Sequence, residues 1–131
     1  MQIDDDLQTK KFNMSLTRIF KSAEFMQPTE GYGEPIRSVI TQSAEAVVVA
    51  WHVNPGQRIA AHVRPHGQDT WTVLSGTGEY QLEQNGRSQT ISQGCVVVAP
   101  TGCVHGVFND GSEPLIFISV VCPAEAGYEL A

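Results

Sequence analysis

Short apolar stretches separated by turn residues recur from residue 37 to residue 121 of this 131-residue chain. The stretches are rich in Val and Ile, and Gly, Pro, Asn or Asp stands between most of them, as is typical of β-strands joined by tight turns. No helix-length pattern lies between the stretches, which disfavours a parallel βαβ fold. We therefore predict an all-β domain closed as a sandwich or barrel. The predicted strands are 37–42, 45–53, 58–64, 69–74, 79–83, 88–91, 95–99, 104–108 and 115–121.

The two ends of the chain lack this pattern. Residues 16–25 place their apolar side chains either on one helical stripe or along an arm that lies across a partner subunit. Residues 27–35 contain two prolines and two glycines and are predicted to be a loop. The predicted organisation is an N-terminal arm at 1–36, a barrel at 37–121 and a loosely held C-terminal tail at 122–131.

Composition argues against several classes of partner. Hydrophobic residues make up 41% of the chain and charged residues 17%, which indicates a folded protein. The formal charge of −6, without a Lys/Arg stripe, disfavours nucleic-acid binding. No apolar run approaches the roughly 20 residues that cross a bilayer, so we expect no membrane partner. The N-terminus lacks the apolar core of a secretory signal, and the three cysteines form no CxxC pair, which favours a reduced, cytoplasmic protein.

Two spaced motifs hold the residues that can do chemistry. The fixed positions of the first motif are Gly56, His62, Asp69 and Gly76. Those of the second are Gly94, Pro100, Gly102, His105 and Asn109. The glycines and the proline suit tight turns, whereas the histidines and the aspartate fall on predicted strands. Because residues two apart on a strand share a face, we expect Ala60, His62 and Arg64 to share one inward face and Asp69 and Trp71 another.

The two motifs resemble those of the cupin superfamily in its small, single-domain form. The second motif matches at every fixed position, and the first carries Asp69 where cupins usually carry Glu. The resemblance covers about residues 37–121 and implies a double-stranded β-helix, or jelly-roll barrel, and a homodimer formed through an N-terminal strand or arm. It also implies a divalent transition metal (Zn, Fe, Mn or Ni) held by His62, Asp69 and His105.

Arg64 departs from the family pattern, because it stands where cupins carry a second metal-binding histidine in the first motif. A guanidinium stays cationic and cannot bind a metal. In one interpretation His66 takes the remaining coordination position. In the other, no fourth protein ligand exists or no metal binds at all, and Arg64 receives the carboxylate or enolate of a small acid. Trp71 is a candidate for a substrate-contacting wall or for barrel core.

These residues are compatible with two functions. The first is a metal-dependent enzyme of the dioxygenase, isomerase or lyase type that acts on a small polar organic acid or sugar derivative. The second is a non-catalytic module that binds or senses a small molecule without a metal. A structural or storage role is disfavoured, since a storage barrel has no need for His62, Arg64 and Asp69 to converge. The fold itself does not decide between these functions.

Overall fold

The computed structural model describes residues 17–131, and in that part of the chain ten strands form two facing antiparallel sheets. The first sheet has the strand order β1-β2-β9-β4-β7, and the second has the order β10-β3-β8-β5-β6. The all-β double-stranded β-helix is therefore confirmed, and each of the nine predicted strands is present. The bounds are β1 Ser38–Gln42, β2 Val47–Val53, β3 Arg58–Val63, β4 Gln68–Ser75, β5 Thr77–Gln81, β6 Ser88–Ser92, β7 Val96–Ala99, β8 His105–Phe108, β9 Leu115–Cys122 and β10 Glu129–Leu130.

Strand β9 is the centre of the first sheet, where it pairs with β2 on one side and β4 on the other. Alternate side chains from Leu115 to Val121 are buried, as the two-residue period of a strand requires. Among them, Phe117 stacks on Trp71 at 4.2 Å and on Trp51 at 6.2 Å between ring centroids. Trp71 in turn meets the ring of His105 at 5.9 Å, so this aromatic layer connects the core to the candidate site.

The inward face of β3 is interrupted close to the candidate site. The pairing of β3 with β8 shifts register between Ile59 and His62, and both of these residues are buried although they are three apart. Gly106 of β8 faces this segment, and a Cβ on it would lie 2.8 Å from Ile59 O. The missing side chain therefore lets the irregular part of β3 approach β8. The predicted unbroken alternation through Ala60 and His62 is wrong for this reason, since Ala60 is only half-buried.

The described part of the arm, residues 17–36, is anchored to the barrel by hydrogen bonds. Its 3-10 helix, Ser22–Phe25, is shorter than the helical stripe considered for residues 16–25. The buried side chain of Gln57 donates hydrogen bonds to Thr29 O and Oγ1, both at 3.0 Å, and to Gly31 O at 3.2 Å. Residues 1–16 lie outside the described part, and exchange of the arm between subunits stays a prediction. Over residues 17–131, no helix has the length and apolar character needed to span a bilayer.

The C-terminal tail is part of the folded structure. Strand β10 pairs with the edge of β3 through Glu129 opposite Val63 and Leu130 opposite His62. Ala126 is fully buried in the core. The prediction of a loosely held tail is therefore wrong, because no local pattern in a two-residue strand signals its pairing partner. The division into arm, barrel and tail itself stays a prediction.

Candidate metal centre

Three of the predicted metal ligands converge inside the barrel. His62 on β3 and His105 on β8 are direct partners in the second sheet, and Asp69 on β4 comes from the facing sheet. The three side chains are buried, with exposures of 3%, 0% and 3% in that order. One ligand atom from each lies within 4.8 Å of the other two. The pairing of β3 with β8 thus brings the histidines of the two motifs together, and the packing of the two sheets adds the carboxylate of Asp69.

Backbone carbonyls fix the orientation of both imidazoles. His62 Nδ1 lies 2.7 Å from Ala60 O, and His105 Nδ1 lies 3.1 Å from Cys103 O. A proton on each Nδ1 donates to these oxygens and leaves the Nε2 lone pair free. An Nδ1–H hydrogen bond to a carbonyl is the usual support for a histidine that binds a metal through Nε2.

The Asp69 carboxylate is in contact with both sheets. Ser119 Oγ donates to Oδ1 at 2.6 Å, while Oδ2 lies 3.1 Å from His105 Nε2. Because His105 Nδ1 already faces a carbonyl, Nε2 can donate to Oδ2 only when the ring carries both protons. A divalent cation bound to Nε2 and Oδ2 satisfies the same two atoms with a neutral ring. The donor set therefore fits a metal.

Burial and neighbouring charges control the protonation of the ligands. Burial of Asp69 opposes its ionisation, but hydrogen bonds from His105 and Ser119, together with the positive charges of His105 and Arg64, hold the pKa of Asp69 below its ordinary value. Burial, reinforced by the charge of His105, lowers the pKa of His62 to about 4. At pH 7 the carboxylate is ionised and His62 is neutral, which are the protonation states that bind metals.

The free energy of unfolding of the metal-free protein is expected to fall as the pH is lowered from 6.5 to about 4. The pKa of His62 is 6.5 when unfolded and about 4 when folded. The unfolded chain therefore binds a proton first, and stability present above pH 6.5 is lost on the way to pH 4. This shift in the pKa of His62 corresponds to a loss of about 3 kcal/mol in the free energy of unfolding. Urea denaturation across this pH range, with a chelator present, measures the effect. A His62→Gln variant should give a flatter profile, and equal slopes for both proteins would contradict the assignment.

A cavity of about 370 Å³ opens against His62. Trp51 and Ile59 form part of its apolar wall, and Glu34 and Arg37, from the segment that leads into β1, are among its charged residues. This volume lies within the range of about 300–1,000 Å³ that is usual for small-molecule sites. The candidate metal centre is thus buried on the core side and bordered by a cavity large enough for a small organic ligand.

Arg64 lies in the wall of the same cavity and contributes a positive charge. Its side chain is 13% exposed, and its Nε lies 3.8 Å from Asp69 Oδ2. Nη1 donates to Gly127 O at 3.1 Å, and the guanidinium carbon lies 5.4 Å from the ring centroid of Tyr128. The Tyr128 ring also packs against His62 at 4.9 Å. Arg64 is therefore positioned by the C-terminal tail, next to the ligands.

Comparison with known proteins places the chain in a family. A family model described as a cupin domain matches residues 49–121. This chain belongs to the cupin family. A crystal structure of an uncharacterized conserved protein with a double-stranded beta-helix domain, from Klebsiella pneumoniae, is 51% identical to this cupin. The match covers 88% of this chain and 97% of that one, with a TM-score of 0.83.

More distant structures share the fold of this cupin. An RmlC-like cupin protein from Desulfovibrio desulfuricans is 22% identical over 70% of this chain and 84% of that one, with a TM-score of 0.63. The polyketide cyclase RemF from Streptomyces resistomycificus is 18% identical over 75% of this chain and 71% of that one, with a TM-score of 0.66. At these identities the similarity is evidence for a common fold alone. No curated protein sequence matches this cupin.

Two predicted site residues of the cupin are not members of the group of three converging ligands. His66 is exposed, and its side chain lines a different cavity together with Glu125. It does not join the group because β3 ends at Val63 and the chain then turns through Pro65 and His66. Trp71 is 2% exposed and packs in the core; its buried Nε1 has no hydrogen-bond partner within residues 17–131. The roles of His66 as a ligand and Trp71 as a substrate contact stay predictions.

Three residues around the cupin site are not predicted from the sequence. Ser119 could have been identified, because it is a polar residue at an inward position of the otherwise apolar strand β9. Arg37 and Tyr128 lie outside both motifs, and only the packing of the chain ends on the barrel brings them to the cavity. No local pattern predicts their positions.

Proposed function

We propose that this cupin binds a divalent transition metal through His62, Asp69 and His105 and acts on a small polar organic acid or sugar derivative. The observation that carries the proposal is the buried convergence of the three donors beside an open cavity. Two imidazoles and one carboxylate leave coordination positions for a substrate, and Zn, Fe, Mn and Ni all accept this donor set. The reaction class we propose is that of a dioxygenase, an isomerase or a lyase.

The protein's own groups hold and orient the reacting partners. The ion, when bound, would supply a Lewis acid for a substrate carbonyl or enolate. Arg64 offers charged N–H donors to an acid group of the substrate. Burial, followed by the charge of Glu34, raises the pKa of Tyr128 above its ordinary value. The positive charge of Arg64 lowers this pKa by a smaller amount, so that the pKa stays raised. The Tyr128 hydroxyl therefore keeps its proton at neutral pH and can donate a hydrogen bond to a substrate oxygen.

A second candidate function is non-catalytic binding or sensing of a small molecule without a metal. The observation that favours it is Arg64 in place of a histidine, with its charge 3.8 Å from Asp69. In that case a doubly protonated His105 donates to the buried carboxylate, Arg64 adds a second positive charge beside it, and the cavity is a site for a ligand alone. The two candidates differ in whether the three donors hold a metal.

An activity screen on metal-loaded and metal-free protein separates these functions. The protein is stripped with a chelator, reloaded in separate samples with Zn, Fe, Mn or Ni, and incubated with a panel of hydroxy acids, 2-oxo acids and sugar acids. Mass spectrometry and oxygen uptake report turnover. We expect turnover in at least one loaded sample and none in the stripped protein or in Asp69→Ala. Turnover that survives stripping would contradict the metal role, and a bound acid without turnover in any sample would support the binding module.

The partner we propose besides the small molecule is a second copy of this chain. Val96 and Val98 on the edge strand β7 are 63% and 49% exposed. Exposed apolar side chains grouped at an edge strand are typical of an interface. A sedimentation experiment that shows only monomer at the concentrations used for the assays would contradict a homodimer.

We also propose that the protein works in a reducing compartment such as the cytoplasm. The thiols of Cys95, Cys103 and Cys122 are all free, and two of the three are exposed. Exposed free thiols persist where the surroundings are reducing. A disulfide found by mass spectrometry in protein isolated under thiol-blocking conditions would contradict this location.

A further inference from the structure

The charges around the cavity are unbalanced when a divalent ion is bound. Arg37 and Arg64 carry positive charges, and Glu34 and Asp69 carry negative ones. A histidine that binds a metal does so as a neutral imidazole, so His62 and His105 add no charge. The two arginines and the two carboxylates cancel, so the bound ion leaves an excess of two positive charges at the wall of the cavity. A partly buried excess of this kind is unfavourable unless an anion compensates it.

The two carboxylates near the cavity are already engaged by other groups. Glu34 Oε2 accepts a hydrogen bond from Ala60 N at 3.0 Å, and Asp69 Oδ1 accepts one from Ser119 Oγ at 2.6 Å, while Asp69 Oδ2 would bind the ion. Asp69 also lies 3.8 Å from Arg64 Nε, whereas within residues 17–131 no carboxylate forms an ion pair with Arg37. An anion from solution can therefore compensate the remaining charge.

Both arginines, in contrast, have N–H groups without a hydrogen-bond partner among residues 17–131. Within residues 17–131, Arg37 takes part in no ion pair with any carboxylate. Arg64 uses Nη1 on Gly127 O, while its buried Nε has no hydrogen-bond partner in this part of the chain. Two guanidiniums in the wall of one cavity, each with N–H groups that no described residue engages, are suited to a planar carboxylate, which accepts paired N–H donors.

We propose that the ligand of this cavity is a small dicarboxylate, with one carboxylate directed to the metal centre and the other bound by Arg37 and Arg64. The inference rests on the proposed metal function, because the bound ion creates the charge excess that a dianion neutralises. Trp51 and Ile59 provide apolar surface for the short carbon chain between the two carboxylates. Residues from the arm, both sheets and the C-terminal tail thus contribute to a single substrate site.

The test measures binding of malonate, succinate and glutarate to metal-loaded protein by calorimetry, with butyrate as the monocarboxylate and butyramide as the neutral control. We expect at least one dicarboxylate to bind tenfold or more tightly than butyrate, with butyramide weaker still. Arg37→Gln should remove this preference without changing the metal content, because Arg37 is not one of the three converging ligands. Arg87→Gln is the matched control, since Arg87 pairs with Glu83 on an exposed hairpin and does not line the cavity. It should behave as wild type.

The outcomes separate this inference from the proposed function. Metal-loaded wild type that binds no dicarboxylate more tightly than butyrate, or an Arg37→Gln variant that keeps the full preference, would overturn the dicarboxylate assignment and leave the metal site standing. Wild type that takes up no metal would overturn both. Inorganic phosphate is tested in the same way. Binding of phosphate, but of none of the dicarboxylates, would identify the ligand as a compact dianion and would overturn the proposal. Thermal melting of each variant confirms that the fold is retained.

Discussion

Replacing His105 by alanine is expected to lower the affinity of the chain for a divalent metal by more than about 100-fold, since loss of an outer-shell partner alone typically costs about 10–100-fold. The substitution removes one of three protein donors and takes away the Nε2 atom that lies 3.1 Å from Asp69 Oδ2. Competition between the stripped protein and a fluorescent chelator measures the affinity. Melting curves of both proteins establish that the variant is folded.

The matched control for this experiment is His66→Ala. Its side chain is exposed in the turn after β3, apart from the three converging ligands, so the metal affinity should stay at the wild-type value. The same control tests the hypothesis that His66 is a fourth ligand. A loss of affinity in His66→Ala as large as that in His105→Ala would show that the ligand set is different from the one proposed. An unchanged affinity in His105→Ala would contradict the site itself.

Replacing Phe117 by alanine is expected to lower the free energy of unfolding by about 3–5 kcal/mol, the usual cost of truncating a buried aromatic side chain. Phe117 is fully buried on the central strand of the first sheet and stacks on both Trp51 and Trp71. Its removal leaves a cavity in the layer between the sheets that the surrounding strands cannot close. Guanidinium denaturation, followed by tryptophan fluorescence and by circular dichroism, measures the loss.

Two further variants show whether the loss comes from packing. Phe117→Leu keeps most of the buried volume and should cost clearly less than Phe117→Ala. Gln42→Ala, at the end of β1 in the same sheet, removes an exposed side chain and should change stability by no more than about 0.5 kcal/mol. If Phe117→Ala were no more destabilising than Gln42→Ala, the aromatic layer would not be the core that the structure describes.

The strands of this cupin are predictable from sequence because their signals are local. Alternating Val and Ile residues bounded by Gly, Pro and Asn specify a strand without reference to the rest of the chain, and all nine predicted strands occur. Strand β10 is different. It is two residues long, and its formation depends on the free edge of β3, which the tail sequence does not encode. The same limit applies to Tyr128, which reaches the cavity only because β10 is paired.

The candidate site is predictable in part. The spacing of the two motifs indicates His62, Asp69 and His105, and the structure brings these three side chains together. Alternation alone misplaces Ala60, because the register shift that Gly106 permits is a property of the β3–β8 pair and not of either strand. The proposed role of Arg37 cannot be predicted from the sequence. It depends on the folding of the segment before β1, which brings Arg37 to the same cavity as Arg64.

Elemental analysis of the protein purified without chelators, alongside the His62→Ala variant, tests the metal centre most directly. We expect close to one transition-metal ion per chain in the wild type and almost none in the variant, with both proteins folded. A wild-type protein that contains no metal and takes none up on reloading would contradict the metal centre. Arg64 and a protonated His105 would then be the partners of Asp69, and the cavity would bind its ligand by charge alone.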